Sequence, residues 1–152
     1  MAAVNPFDPK TILFAKHGQH VVLVHFPIAL FLTAVGFDFA SQWIKKPILA
    51  VVARYNLMIA AVATVPVVAT GLLAWQWQLE GHKLKGILLQ HLVMGLLSSL
   101  LIWIVWWIHS SARAAEGRGL PAYRLPIELV AALAVAVTAH LGGFLSGVNG
   151  AP

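Results

Sequence analysis

Three histidines, His25, His91 and His140, lie inside strongly apolar stretches of the chain. An imidazole without a partner is costly in hydrocarbon, so a histidine in a membrane-spanning stretch is by default a candidate functional residue. A neutral imidazole nitrogen is also a strong ligand for haem iron or another metal ion. The three residues are therefore the predicted metal ligands.

Four apolar stretches reach the roughly 20 residues that a helix needs to cross the hydrocarbon of a bilayer. Lipid offers the backbone no hydrogen-bond partners, so each stretch is expected to be a helix. The connections are too short to hold another domain. The sequence predicts an all-α integral membrane protein, with a four-helix up-down-up-down bundle over 21–152 and an N-terminal interfacial segment over 1–20. The predicted helices are Val21 to about Ala40, about Ile48 to Trp77, Ile87 to Ile108, and Pro126 to Leu145.

Composition supports a membrane protein and limits its chemistry. The chain has 152 residues, of which 60% are hydrophobic and 10% charged, whereas about a quarter of a soluble domain is charged. The net charge of +5 comes from basic residues in short loops, which favours lipid head groups over nucleic acid as the partner. The chain has no cysteine, which excludes thiolate iron–sulfur ligation, covalent c-type haem and disulfides.

Basic residues are more numerous on one side of the predicted bundle, which favours the cytoplasm for that side. The prediction is a bacterial inner-membrane protein with both termini in the periplasm. The basic residues on the predicted cytoplasmic side are Lys45, Lys46, Arg54, Arg113, Arg118 and Arg124, against Lys10, Lys16, Lys83 and Lys85 on the other.

Threading the chain through four helices brings the three histidines to a common depth, within a turn or two of one another, near the outer face. Glycines on the same helices leave room for a flat ligand. His20 precedes His25 by five residues, so it points elsewhere and is a further or supporting ligand. The predicted cofactor-binding residues are His25, His91, His140, His20, Gly95 and Gly142.

Haem b, bound without a covalent link and in one or more copies, is the cofactor that fits two imidazoles and an apolar slot. A zinc site is less favoured because Glu80 is the only carboxylate near that depth. A histidine can also simply hydrogen-bond between helices, and glycine is a common packing residue there. An empty, hydrogen-bonded cluster is therefore the alternative.

Charged residues gather at the predicted inner end: Asp38, Arg54, Arg124 and Glu128. Buried charges require partners, so a salt-bridged network that fixes helix packing is expected, with a proton-uptake path as the alternative. His109 is assigned to the membrane interface, with a proton or quinone contact as the alternative.

The segment from His20 to Leu30, with its Val-His-Phe-Pro-Ile core, and the later Asp38 resemble the opening signature of a bacterial family of four-helix membrane proteins, DUF2231. A histidine opening the third helix (His91) and a late Gly-Gly pair are also similar. Val21 departs from the family's usual proline. Members of this family occur beside or fused to electron-transfer modules such as Rieske proteins, so the resemblance implies a redox role by association.

The leading hypothesis is a haem-b electron-transfer protein or cytochrome subunit, ligated by two of His25, His91 and His140. Its partners would be the bilayer and other subunits of a redox complex, including a periplasmic cytochrome or a Rieske protein. The sequence has no nucleophile–base pair or phosphate loop, which favours a subunit over a free-standing enzyme. The alternative is a cofactor-free structural or assembly subunit of a respiratory or photosynthetic complex. A transporter is disfavoured because mid-membrane polar residues are few.

Overall fold

The computed structural model describes residues 18–78, 83–114 and 120–148. Their regular structure is entirely α-helical. The predicted interfacial segment over 1–20 lies outside the described residues, except for its last three, which begin the first helix. The helices are α1 (Gly18–Leu23), α2 (His25–Ile44), α3 (Pro47–Gln78), α4 (Gly86–Ala114) and α5 (Arg124–Leu145).

Four spans are long and apolar enough to cross a membrane, which confirms the predicted fold class. The first span combines α1 and α2, and α3, α4 and α5 form one span each. Each span packs against its neighbour in sequence, and α2 also packs against α5, so the four spans close into a bundle. The helices extend a few residues beyond the predicted ends because polar residues continue them into the interface.

The first span is interrupted at Val24. Pro27 has no backbone N–H, so the carbonyl of Leu23 loses the hydrogen bond that a regular helix would give it. The bonds on either side persist: the N–H of Val24 donates to His20 O at 3.0 Å and that of Ile28 donates to Val24 O at 3.4 Å. The short α1, which carries His20, is therefore a distinct segment at the start of the span.

A tight turn joins α2 to α3. Lys45 adopts a left-handed conformation (φ 53°), and its N–H donates to the carbonyl of Ser41 at 3.2 Å. Pro47 then occupies the first position of α3, where a missing N–H costs nothing. This turn makes α1–α3 one helical hairpin, and α4–α5 form the second.

Small side chains bring the helices together in the core. Alanines at positions 34, 60, 61 and 131 are completely buried, and small residues allow the close approach on which membrane helices depend, since lipid supplies no hydrophobic force between them. Larger residues fill the space between these contacts. The buried cluster comprises Phe31, Ala34, Leu57, Ala60, Ala61, Ile102, Val105, Ala131 and Val135.

The two hairpins repeat one another at a spacing of 71 residues. Gln19-His20 at the start of the first hairpin matches Gln90-His91 at the start of the second. The burial pattern follows the same spacing. The pairs in which both members are buried are Pro27 and Ser98, Phe31 and Ile102, Ala34 and Val105, Asp38 and His109, Ala53 and Arg124, Leu57 and Glu128, Ala60 and Ala131, and Thr64 and Val135.

Repeats in the same orientation are a known plan of membrane proteins, related by an axis along the membrane normal. Both hairpins here begin at the same end of the bundle, which we call the His20 end. The turn of the first hairpin, the end of α4 and the start of α5 lie at the opposite end, which we call the Arg124 end. Equivalent residues of the two hairpins therefore meet at equal depth.

Exposed aromatic residues mark both ends of the bundle. Trp43, Tyr55, Trp107 and Tyr123 are exposed at the Arg124 end and Trp77 at the other. Trp103 and Trp106, on the same helix as Trp107, instead pack against the core. The Trp103 indole N–H donates to Thr64 Oγ1 at 3.0 Å, which explains why this ring turns inward.

Candidate functional site

His20 lies on α1 and contacts the backbone of α3. Its Nδ1 lies 3.1 Å from the carbonyl oxygen of Val67 and 3.3 Å from Thr70 Oγ1. A carbonyl oxygen can only accept, so Nδ1 donates and carries the proton of the neutral ring. Nε2 is then the nitrogen with a free lone pair, which is the form that a metal ligand requires.

His91 makes the same contact in the second hairpin. Its Nδ1 donates to the carbonyl oxygen of Thr138 on α5, at 3.1 Å. The bonded residues are 47 positions apart in the chain, as are His20 and Val67 in the first hairpin. The repeat thus fixes both imidazoles in the same tautomer by equivalent backbone bonds.

Each of the two rings lies over a glycine of the helix that it contacts. A Cβ on Gly71 would lie 2.9 Å from Cε1 of His20, and a Cβ on Gly142 would lie 3.1 Å from Cε1 of His91. Real Cβ contacts are almost never as short as 2.9 Å, and a contact of 3.1 Å is tighter than nine in ten of them. These two glycines therefore provide the space in which the rings lie, and they also obey the 71-residue spacing.

Gly71→Ala is expected to displace the His20 ring and to lower the thermal unfolding temperature. Gly36→Ala is the matched control, because a Cβ there meets nothing within 4 Å. Alanine is better than glycine by about 1 kcal/mol in a helix interior, so the control should be neutral or stabilising. Thermal unfolding of both variants in lipid, followed by circular dichroism, compares them. Equal stability of the two variants would contradict the close contact between Gly71 and His20.

The two imidazoles lie at the same end of the bundle and are close enough to interact electrostatically. Both side chains are half-buried. The structure thus brings together two of the predicted residues, His20 and His91, with Gly142 beside the second. Gly71 completes the set, and the 71-residue repeat is the sequence signal that could have found it.

His25 and His140 have different surroundings. Both are exposed. His25 Nδ1 donates to the carbonyl of Val21, four residues before it in the same span, at 2.7 Å, and the His140 ring meets Phe144 edge-on, with centroids 5.0 Å apart. Within the described residues, His25, His91 and His140 do not bring three ligand nitrogens within 4.8 Å of one another.

Gly95, the remaining predicted residue, lies on α4 facing α5. A Cβ there would be 3.8 Å from Thr138 Cγ2, an ordinary contact. Its carbonyl accepts hydrogen bonds from Ser98 and Ser99. Gly95 therefore serves helix packing near His91 and does not contact the imidazole.

A second polar cluster lies at the Arg124 end. The guanidinium of Arg124 donates to both carboxylate oxygens of Asp38, from Nε at 2.9 Å and from Nη2 at 3.4 Å. Its Nη1 donates to the carbonyls of Leu120 and Pro121. This buried two-point ion pair joins α5 to α2, and so links the two hairpins.

Glu128 and His109 form the other half of this cluster. Nε2 of His109 lies 2.7 Å from Oε1 of Glu128, and both side chains are 1% exposed. Ligand atoms of Asp38, His109 and Glu128 all lie within 4.8 Å of one another. Oε2 of Glu128 is buried and has no hydrogen-bond partner among the described residues.

The predicted charged network is present, but its members differ from the expected ones. Arg54 lies over the Tyr55 ring, 4.8 Å from its centroid, rather than in the network. His109, assigned to the interface from its tryptophan neighbours, is instead buried beside Glu128. Its position 71 residues after Asp38 is the signal that could have found it.

One known protein family matches a part of the chain that includes both ends of the bundle. Residues 16–151 match the family described as "Predicted membrane protein (DUF2231)". The chain belongs to this family. No curated protein and no solved structure matches the chain.

The DUF2231 match includes both hairpins, so the two polar sites lie within the family region. Their chemistry differs. The His20 end offers two neutral imidazoles with their Nε2 lone pairs available, a donor set suited to a metal centre. The Arg124 end offers two carboxylates, a guanidinium and an imidazole, a set suited to charge balance and proton binding.

Proposed function

We propose that this protein is an integral membrane electron-transfer protein that binds haem b without a covalent link, with His20 and His91 as the two iron ligands. The observation that carries the proposal is the matched pair of Nδ1-to-carbonyl bonds. A ligating histidine usually donates its other ring N–H in this way, which fixes the ring and strengthens the ligand.

The residues present fit the cofactor. Two neutral imidazoles from different hairpins supply both ligands, and no thiolate competes because the chain has no cysteine. The glycines beneath the rings let both imidazoles lie close against α3 and α5, where a Cβ would crowd Cε1 of each ring. Apolar helices around this end supply the low-polarity setting that b-type haem favours.

The depth of the histidines in the sequence favours two of His25, His91 and His140 as the ligands. The geometry favours His20 as the partner of His91, because these two share the orienting bond to a neighbouring helix and the supporting glycine. His25 bonds instead to Val21 in its own span, and its side chain is exposed. Its exposed position leaves His25 as a candidate contact for a partner or a second cofactor.

Bound haem would supply a one-electron change at iron. The chain's own part is to hold both imidazoles in one tautomer and to keep the ligands at one end of the bundle. We further propose that the His20 end faces the periplasm in a bacterial inner membrane, because basic residues near the Arg124 end outnumber those near the His20 end by six to four in the sequence. A periplasmic cytochrome, a Rieske protein or another subunit of a redox complex would then exchange electrons there.

The visible spectrum of the purified protein tests this proposal. Protein from haem-replete cells is expected to absorb as a b-type cytochrome, with an α-band that sharpens on reduction with dithionite. Protein that arrives without cofactor should take up about one haem per chain on titration with hemin. A folded, colourless protein that does not take up hemin would overturn the proposal and favour a cofactor-free structural subunit.

A further inference from the structure

Glu128 and His109 form a buried pair at the Arg124 end that the proposed function does not use. The charges of the four buried side chains show whether the pair must bind a proton. Asp38 and Arg124 neutralise each other through two hydrogen bonds. A deprotonated Glu128 beside a neutral His109 would then leave one uncompensated negative charge, which is strongly unfavourable in a buried site.

One proton removes this net charge, whichever member of the pair carries it. A divalent cation would instead turn a net charge of −1 into +1. It would also lie beside the guanidinium of Arg124, whose donors engage both oxygens of Asp38. We propose that Glu128 and His109 form a proton-binding site, which holds one exchangeable proton at the Arg124 end of the bundle.

The unpartnered oxygen of Glu128 shows where a proton can bind. Oε1 is held by the imidazole at 2.7 Å, whereas Oε2 is buried without a partner among the described residues. A proton can therefore bind at Oε2, turning the carboxylate into a carboxylic acid, while Oε1 keeps its bond to His109. No other bond needs to break.

The fold does not require polar groups at this depth. The positions equivalent to Arg124 and Glu128 in the first hairpin are Ala53 and Leu57, and both are buried. That hairpin packs with apolar side chains where the second has charged ones. Because apolar residues often replace a buried ion pair at little or no cost, packing alone does not explain Glu128.

The surroundings place the site nearer to one end of the bundle. Arg124 bonds to carbonyls of Leu120 and Pro121, immediately before α5, and Glu128 lies four residues further, about 6 Å along the axis. Toward the His20 end the cluster is followed by the buried apolar residues Val105 and Ala131. The proton therefore exchanges with water at the Arg124 end.

The side chain that each helix places near Glu128 can be named. His109 comes from α4, Asp38 from α2 and Arg124 from its own helix, while α3 presents uncharged Leu57 at the equivalent depth. These three are the charged or titratable neighbours that act on Glu128 in the described part of the chain. Because they lie at the opposite end from His20 and His91, the proton site is independent of haem binding.

Infrared spectroscopy of the full-length protein in lipid tests the site. The chain has only five acidic side chains, so a carboxylic-acid carbonyl band can be assigned by substitution. At neutral pH we expect a deuterium-sensitive band that is lost in Glu128→Gln and Glu128→Leu but kept in Glu80→Gln. Glu128→Leu copies the equivalent Leu57, so it should fold even if the glutamine variant does not.

Nitrogen-15 NMR of His109, assigned with His109→Gln, covers the case in which the proton rests on the imidazole. Both ring nitrogens are then protonated, and Glu128→Leu should return the ring to the singly protonated form. Alkaline titration should remove about one proton per chain from the pair in either case. Absence of both signals at all pH values, or a stoichiometric divalent metal that Glu128→Leu loses, would overturn the proposal.

Discussion

His91→Ala is expected to abolish the b-type spectrum, with haem content falling roughly tenfold or more, since even residues that only orient a ligand change metal affinity 10–100-fold. His20→Ala should have the same effect, because each ring supplies one of the two ligands. His25→Ala and His140→Ala should retain the spectrum. Haem content per chain and the reduced-minus-oxidised spectrum measure all four variants.

Added imidazole separates ligation from packing. In His91→Ala the removed ring leaves space over Gly142, so free imidazole should restore part of the spectrum. A purely structural role would show no such rescue. Retention of haem by His20→Ala, with its loss in His25→Ala, would contradict the assigned pair and return His25 to the position that the sequence favoured.

Asp38→Ala is expected to lower the free energy of unfolding by about 3–5 kcal/mol, because it leaves the Arg124 guanidinium buried without its counter-ion. Unfolding by SDS in mixed micelles, followed by circular dichroism, measures this loss. The effect should be large because this ion pair joins the two hairpins and both side chains are almost fully buried.

Removal of both partners provides the internal control. Asp38→Ala/Arg124→Ala should recover most of the lost stability, since Arg124→Ala places at position 124 the residue found at the equivalent Ala53. Arg54→Ala, which removes only a contact with the Tyr55 ring, should cost about 1 kcal/mol or less. A loss below about 1 kcal/mol for Asp38→Ala would show that solvent reaches Arg124.

The fold was predictable because hydropathy alone indicates which segments lie in lipid as helices. An apolar run of sufficient length must be a helix, so the four spans follow from hydropathy alone, and their short connections dictate alternating directions. The exact ends did not follow. The second hairpin's last helix begins at Arg124, before the predicted Pro126, because Arg124 finds its counter-ion inside the bundle.

The depth of the candidate histidines in the membrane was predictable, but the direction in which each side chain points was not. Threading gives the height of a histidine along the membrane normal, and it correctly puts His20 and His91 at one end. It does not give the rotation of each helix about its own axis, which packing decides. His20 turns toward Gly71 and His25 faces outward, although only five residues and the interruption at Val24 separate them.

The Arg124 end shows the same limit. Three tryptophans near His109 in the sequence suggest that this segment lies at the membrane interface. In the structure, Trp103 points inward to Thr64, and His109 is also buried inside the bundle. Hydropathy cannot distinguish these arrangements, because the composition of the segment is the same in both. Comparison of the two halves of the chain could have distinguished them, since Asp38 already marks the equivalent buried position.

The two repeated hairpins contribute matching groups at one end of the bundle and different groups at the other. At the His20 end the halves contribute alike, one imidazole and one glycine each. At the Arg124 end they contribute unlike groups: the first half gives a single carboxylate, and the second gives a guanidinium, a carboxylate and an imidazole. Although the fold consists of two similar halves, its two ends carry different polar groups. A charged species that approaches from one side of the membrane therefore contacts different side chains from one that approaches from the other side.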